Sequence, residues 1–272
     1  MTDFSENNAS ENGSYRERME AVYQLLVKKG SMRVVELQEI LGVSDMTVRR
    51  CLNAMAADGL IRRFHGGAVL IEDAESRYSA MRHHLNTNIK ALLAEKALEF
   101  MPENASIYLD SGTTCFAIVK RLAASDKKVN IITDSFKVVH ELKSASTINA
   151  TLLGGNLSDD MTTLDGPFAA DAASRVTLDV CFFSADSFDE ERLDNKYLGG
   201  ATTRKILLSR SNRKIFVADS TKYTRRCCFL FCGWDDVDIF LTDSFLPVPA
   251  KKSIAGKGVE IITVSEPAAV VQ

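Results

Sequence analysis

Ser44 is followed by apolar residues at Val48, Leu52 and Met55 and by Thr47, Arg49, Arg50 and Asn53 between them, a spacing that divides one helix into an apolar face and a donor-rich face. Ser44 suits the N-cap. The apolar face can bury in a small core, and the opposite face can then offer hydrogen bonds to phosphate oxygens and base edges in a major groove. Further on, Gly59 stops the pattern, and Leu60-Ile61 and Ala68-Val69-Leu70 flank Gly66-Gly67, a pair suited to a tight hairpin that needs positive φ. Arg62, Arg63 and His65 ride on that hairpin. Upstream, residues 16 to 28 repeat apolar side chains at Met19, Val22, Leu25 and Leu26, and residues 34 to 41 do so at Val34, Leu37, Ile40 and Leu41 before Gly42. Three short helices sharing a core, then a basic hairpin, predict a mainly α winged helix-turn-helix over residues 14–71 that reads double-stranded DNA.

A charged helix face is usually only solvated, so the weight lies on the order in which the pieces occur. Local charge agrees with it. The chain as a whole carries −3, yet between residues 14 and 71 nine basic residues stand against six acidic ones, an excess of three. That excess gives modest phosphate affinity per domain, and such domains gain affinity by binding two half-sites together. A homo-oligomer, dimer or tetramer, is expected. His65 is mostly neutral at pH 7 and serves as a donor rather than a charge.

At 272 residues there is room for a second domain with a sizeable core of its own. No apolar run reaches membrane-spanning length and the first thirteen residues are polar, so the expected location is the cytoplasm, with no membrane partner. Six cysteines in a chain of this size do not make a disulfide framework. Cys51, Cys115 and Cys181 sit singly in apolar patterns as buried thiols. Cys227, Cys228 and Cys232 lack a following histidine and read as core strand rather than a metal site.

Residues 72–88 have neither helical nor strand period and read as the connection. From residue 89 to 272 helices alternate with β-rich runs at 105–109, 129–133, 150–153, 179–183, 214–218 and 238–242, which predicts an α/β domain with a mostly parallel sheet covered on both sides. Five of these runs lead into Asp-Ser: Asp110-Ser111, Asp134-Ser135, Asp186-Ser187, Asp219-Ser220 and Asp243-Ser244. At the carboxyl ends of parallel strands these pairs border the ligand crevice, although two or three of them need be no more than helix caps. The first has more to it. Asp110, Ser111, Gly112, Thr113 and Thr114 join a strand to a helix, so that hydroxyls, close backbone approach and free N–H groups favour an anion there. Thr133-Asp134-Ser135, Gly154-Gly155 and Lys222 converge on the same edge. A cation for phosphate amid carboxylates that accept from polyol hydroxyls points to a phosphorylated sugar or a similar metabolite as effector.

With these motifs on the page, the chain from about residue 16 to residue 264 resembles the DeoR-type bacterial transcription regulators. The matching pieces are Val43-Ser44, Thr47-Val48-Arg49-Arg50, Gly59-Leu60-Ile61-Arg62-Arg63, His65-Gly66-Gly67-Ala68, Leu109 to Thr114, Thr133-Asp134-Ser135, Gly154-Gly155, Ala218 to Lys222 and Leu241-Thr242-Asp243. The resemblance implies a winged helix-turn-helix joined to a sensor similar to ribose-5-phosphate isomerase, commonly binding phosphorylated sugars and commonly repressing sugar-use genes. It departs from the family at Cys51, where an acidic residue is usual, and at Ser184 and Ser187, where glycines are. It departs again over Gly199 to Lys205, where the usual Glu is missing and Arg204 or Lys205 is left to keep the usual cation. No catalytic residue, cofactor or metal follows from the chain, because the row of aspartates lacks a matched acid and base with a positioning partner. The expectation is a regulator, not an isomerase.

Overall fold

The computed structural model describes residues 18–19, 21–23, 25–26, 29–57, 60–71, 86–158, 163–195, 200–224 and 227–265. It divides into two compact units, Met1–Leu85 and Asn86–Gln272. Most of the connection expected at 72–88 lies outside the described residues, as do residues 14–17, Gly59 and Gly199. Asn86 and the helix that starts at Thr87 belong to the second unit, three residues ahead of the boundary read from periodicity.

In the first unit, helical residues 18, 19, 21–23, 25, 26 and 29 lead to β1 (Ser31–Arg33), α1 (Val34–Leu41), α2 (Asp45–Ala57), β2 (Ile61–Phe64) and β3 (Gly67–Leu70). The three strands pair antiparallel in the order β1-β3-β2. Met19, Val22, Leu26, Val34, Leu37, Val48, Leu52 and Met55 are buried in one cluster, so the apolar stripes meet as their spacing requires. Ile40 does not join them and is 50% exposed. It lies about 60° round the helix from Leu37, on the side away from Val34, and the half-buried Leu41 completes the stripe instead. Strand β1 has no sequence signature because one buried residue, Met32, between two exposed ones is too short a period to detect.

The hairpin turn is made by His65 and Gly66, and the positive φ falls on Gly66 alone, at +81°. Gly67 is glycine for a different reason. A Cβ there would sit 2.3 Å from Phe64 Cζ and 2.5 Å from the Met32 carbonyl oxygen, a space that only close packing of all three strands creates.

The second unit runs α3 (Thr87–Leu98), β4 (Ser106–Leu109), α4 (Thr113–Ala123), β5 (Val129–Thr133), α5 (Phe136–Leu142), β6 (Ile148–Leu152), β7 (Asn156–Leu157), β8 (Leu164–Asp165) and α6 (Pro167–Ser174). It continues through β9 (Leu178–Phe183), β10 (Ser187–Phe188), β11 (Arg192–Asn195), α7 (Ala201–Ser209), β12 (Ser211–Val217), β13 (Phe229–Gly233), β14 (Ile239–Asp243), α8 (Val248–Ala255) and β15 (Glu260–Val264). Seven strands form one parallel sheet in the order β15-β14-β12-β9-β4-β5-β6. Alternate strand residues feed two cores. Ile107, Leu109, Val180, Phe182, Ile215 and Val217 pack with α3, α4 and α5. Tyr108, Cys181, Phe183 and Phe216 pack with α6, α7, α8 and a small antiparallel sheet, β10-β11-β13. The long apolar runs therefore mark strands buried on both faces.

Two strand expectations change. Edge strand β15, whose residues are exposed or only half-buried, carries too weak a pattern to be read, and the small sheet is built from pieces of two to five residues. Cys228 is exposed and precedes β13, whereas Cys232 is buried within it, so the cysteine cluster is core at one end only. Among the described residues no helix is long and apolar enough to cross a membrane, and no three His, Cys, Asp or Glu side chains group to hold a metal ion.

The wing supplies a stability test. Gly67→Ala forces Phe64 and β1 apart and should cost the N-terminal unit about 1–3 kcal/mol, the range for overpacking a tight core, seen as faster amide exchange in β1 to β3. Unchanged exchange would show that Phe64 swings away freely.

Candidate DNA-reading surface and effector crevice

Helix α2 opens on Ser44, whose Oγ accepts from the Thr47 backbone N–H at 3.3 Å and lies 2.9 Å from Thr47 Oγ1. Ser44 thus caps the helix, and Thr47 is half-buried beside it. Arg49 and Arg50 are exposed, on the side opposite Val48, Cys51 and Leu52. Arg49 is ion-paired through Nε with Asp45 one turn earlier, and that hydrogen bond raises its pKa. Both partners are about half exposed, so the pair is weak. Cys51 sits in the core, where burial pushes its thiol pKa up.

On the hairpin, Arg62 and His65 are exposed, whereas Arg63 is half-buried and turned inward. Arg63 Nη1 donates to Asn53 Oδ1 on α2, and its Nε donates to the Gly67 carbonyl at 3.2 Å. It pins the wing to the helix. The Val34 N–H donates to the Gly66 carbonyl at 2.8 Å, which ties the turn to the start of α1 as well.

In the second unit the chain builds β4, β5 and β6 in one direction, then returns to place β9 on the other side of β4. That reversal opens a crevice at the carboxyl ends of β4 and β9. Asp110, Ser111 and Gly112 lie at the end of β4, and Thr113 and Thr114 begin α4. Asp110 is buried, accepting from the Ser111 N–H at 2.9 Å through Oδ1 and from the Ser184 N–H at 3.2 Å through Oδ2. A Cβ on Gly112 would lie 3.3 Å from Asp110 Oδ2 and 3.4 Å from Ser184 Cβ. Lys222 crosses from the turn after β12 to the end of β9, where Nζ donates to Ser184 Oγ at 2.8 Å and to the Ala185 carbonyl at 2.7 Å. The serine at 184, a departure from the family pattern, is thus a Lys222 partner. Sequence reading missed Lys90. It is 5% exposed, and its Nζ donates to Thr113 Oγ1 at 3.3 Å. Its only signal was a basic residue beside Ile89 and ahead of the apolar run Ala91 to Ala94. Thr114 Oγ1 is buried with no protein hydrogen-bond partner.

The other expected effector residues stand further along the rim. Asp134 and Ser135 end β5, next to β4, and Gly154 and Gly155 end β6, one strand beyond, about 10 Å from β4 at usual strand spacing. Gly155 has φ +140°, and a Cβ there would come within 2.4 Å of the Asp165 carbonyl. Packing against β8 accounts for it. Asp219 Oδ1 accepts from the Thr221 N–H and caps the turn after β12, and Asp243 accepts from the N–H groups of Ser220 and Phe245, so the first pair is a cap and the second braces two turns.

Among the rim residues lies a half-buried cation. Arg204 reaches in from α7, with Nη1 3.7 Å from Asp110 Oδ1 and Cζ 5.1 Å above the Phe231 ring, while Lys205 is exposed. Burial opposes its charge, and Asp110, Tyr108, Asp134 and Asp186 more than restore it. Gly200, at φ +70°, starts α7 where it faces Arg204. Asp134 accepts from the Tyr108 hydroxyl at 3.1 Å. Its carboxyl is raised to about 7, first by burial and then by Asp110, against the pull of Arg204 and the Tyr108 bond.

A carboxyl raised on folding holds its proton more tightly in the folded state, so its stabilisation is complete below about pH 4, the unfolded value, and is lost as pH rises through about 7. Asp134→Asn keeps an acceptor for Tyr108 and removes the titration. Urea unfolding between pH 5 and 8 should show a stability slope in the natural chain that the variant lacks, and equal slopes would place the titration elsewhere.

The family model for the DeoR-like helix-turn-helix domain matches residues 18–74, and that for the DeoR C-terminal sensor domain matches residues 85–244. An uncharacterised helix-turn-helix transcriptional regulator of Haemophilus influenzae is 31% identical over 253 residues, covering 91% of this chain and 97% of its own. The lactose phosphotransferase system repressor of Lactococcus lactis is 28% identical over 232 residues, covering 84% and 91%. Among solved structures, ribose-5-phosphate isomerase A from Neisseria gonorrhoeae is 25% identical over 50% of this chain and 53% of its own, with a TM-score of 0.38. A DNA-reading unit followed by a parallel α/β sensor, matched along both parts, makes this chain a member of the DeoR family of helix-turn-helix transcription regulators.

Proposed function

We propose that the chain is a repressor of carbohydrate-use genes, acting in the cytoplasm as a homo-oligomer, and that a phosphorylated sugar or similar metabolite in the crevice alters its affinity for DNA. The observation that carries this reading is that Lys90 reaches Thr113 at the strand-to-helix turn of Ser111 to Thr114, while Lys222 reaches Ser184, whose N–H donates to Asp110 at the head of the same turn. Free N–H groups at the start of α4 and two ammonium groups are what a phosphate needs. A named sugar-system repressor among the relatives supports the same class of effector.

Thr47, Arg49 and Arg50 read the groove from α2 with Ser44 as cap, Arg62 and His65 contact the flanking backbone, and Arg63 holds the wing in register. A local excess of three positive charges is too small for tight binding alone, so two copies on two half-sites supply the remainder. The metabolite acts by binding the DNA-competent and DNA-incompetent arrangements with different affinity.

Two measurements check this. Arg50→Ala should weaken binding to DNA from upstream of the chain's own gene by about 1–3 kcal/mol, the loss of one base contact, while Arg62→Ala should instead lower the salt slope by about one. The full chain, titrated onto that DNA with and without a panel of phosphorylated aldoses and ketoses, should change affinity with one of them and not with its unphosphorylated parent. Lys222→Gln should require a higher concentration of that compound. Equal response to phosphorylated and plain sugars would remove the phosphate from the account.

A further inference from the structure

Strand β6 is one edge of the seven-stranded sheet, and nothing in its sequence guards the open side. No residue from Ser144 to Ser158 is charged and none is proline, and β6 pairs with β5 without a shift of register. Charge, proline or a bulge is what ordinarily keeps a free edge from pairing with another chain. The Leu153 N–H donates to the Thr133 carbonyl on β5 at 2.8 Å. Backbone groups of alternate residues point to opposite edges, so Asn149 and Thr151 also face β5, and the N–H and C=O groups of Ala150 and Leu152 face outward. The Ile148 N–H turns back to the Ala145 carbonyl at 3.1 Å, which leaves the Ile148 carbonyl on the same open edge. Among the described residues none bonds these outward groups. Ile148 and Ala150 pack against the core that α5 covers and Leu152 is half-buried, whereas Asn149 and Thr151 are exposed on the opposite face.

We infer that β6 is where two copies of this chain join, edge to edge and antiparallel about a two-fold axis at Ala150. This names the interface of the homo-oligomer proposed above and rests on that reading. A two-fold at Ala150 sets Ile148 against the partner's Leu152 and Asn149 against the partner's Thr151, apolar with apolar on the covered face and polar with polar on the open one. The outward backbone groups match in the same register. The two Ala150 residues exchange N–H and C=O bonds, and each Leu152 N–H meets the carbonyl of the partner's Ile148. A symmetric pair needs this kind of self-complementarity. The sheet's other edge lacks it, because a two-fold at Ile262, the middle of β15, sets Glu260 against the partner's Val264 and Ile261 against the partner's Thr263. Apolar area to be covered stands on the elements that precede and follow β6, with Phe136 at the start of α5 56% exposed and Leu157 in β7 47% exposed. A two-fold pair is also what two half-sites on DNA require.

Sedimentation equilibrium of the full chain tests this, together with a directed cross-link. The natural chain should be at least dimeric at micromolar concentration. Ala150→Pro removes an outward N–H and leaves the bonds to β5 in place, and it should weaken association about tenfold. Asn149→Lys/Thr151→Lys alters only exposed side chains and sets lysine against lysine across the seam. It should weaken association to a similar degree, so the test stands even where the proline variant does not fold. The register is read by a disulfide. Asn149 and the partner's Thr151 form a non-hydrogen-bonded pair with Cα atoms about 4.5 Å apart, within disulfide reach. In a Cys227→Ser/Cys228→Ser background, the Asn149→Cys and Thr151→Cys chains, mixed and oxidised with diamide, should give a linked dimer that neither gives alone. If the lysine variant associates as tightly as the natural chain, or the mixed link does not form, the two copies meet elsewhere and this proposal is wrong while the oligomer stands. A natural chain that stays monomeric in solution and on DNA removes both.

Discussion

A carboxylate can be buried only if its oxygens are occupied, and Asp110 occupies both while sitting at the reversal of the parallel sheet. One oxygen takes the Ser111 N–H and faces Arg204, and the other takes the Ser184 N–H from the neighbouring strand end. The turn that opens α4 is thereby held against the turn that follows β9. Everything else at the crevice is measured from that junction. Gly112 has little room above Asp110, Lys222 reaches Ser184 beside it, and half-buried Arg204 lies at the rim, where Asp110 and its acidic neighbours sustain its charge.

The same logic orders the DNA-reading unit with weaker forces. Arg49 is paired with Asp45 where both are half exposed, a contact that water and salt reduce. Arg63 is held twice, by Asn53 and by a backbone carbonyl. Two arginines alike in sequence are therefore held differently, Arg49 by one half-exposed pair and Arg63 by two contacts that brace the hairpin against α2.

Much of this was legible from residue order. The spacing of Val48, Leu52 and Met55 foretold the buried face of α2, and the apolar runs foretold five of the strands beside β4 and the layers that cover them. Ile40 misled because a three-residue step keeps to a helix stripe only on average, and Leu41 filled its place. Gly155 and Gly67 looked like residues spared for a ligand or a turn, but each is glycine because another backbone approaches it. Lys90 was illegible because a lysine on a helix is ordinarily solvated, and only the fold brings it to Thr113.

The sequence by itself determined the two units, the reading helix with its wing, the strand-to-helix turn at Asp110 and the family, since periodicity and turn chemistry act over a few residues and survive without knowing the partners. The tertiary structure alone decided which of the five Asp-Ser pairs are caps, that Arg204 rather than Lys205 enters the crevice, and that α3 is tied to both walls through Asn86 and Lys90. The contacts of Asn86 and Lys90 join residues from 23 to 135 positions apart, and hydrogen bonds across such separations depend on strand order. That order is set by how the whole apolar core packs rather than by any local pattern.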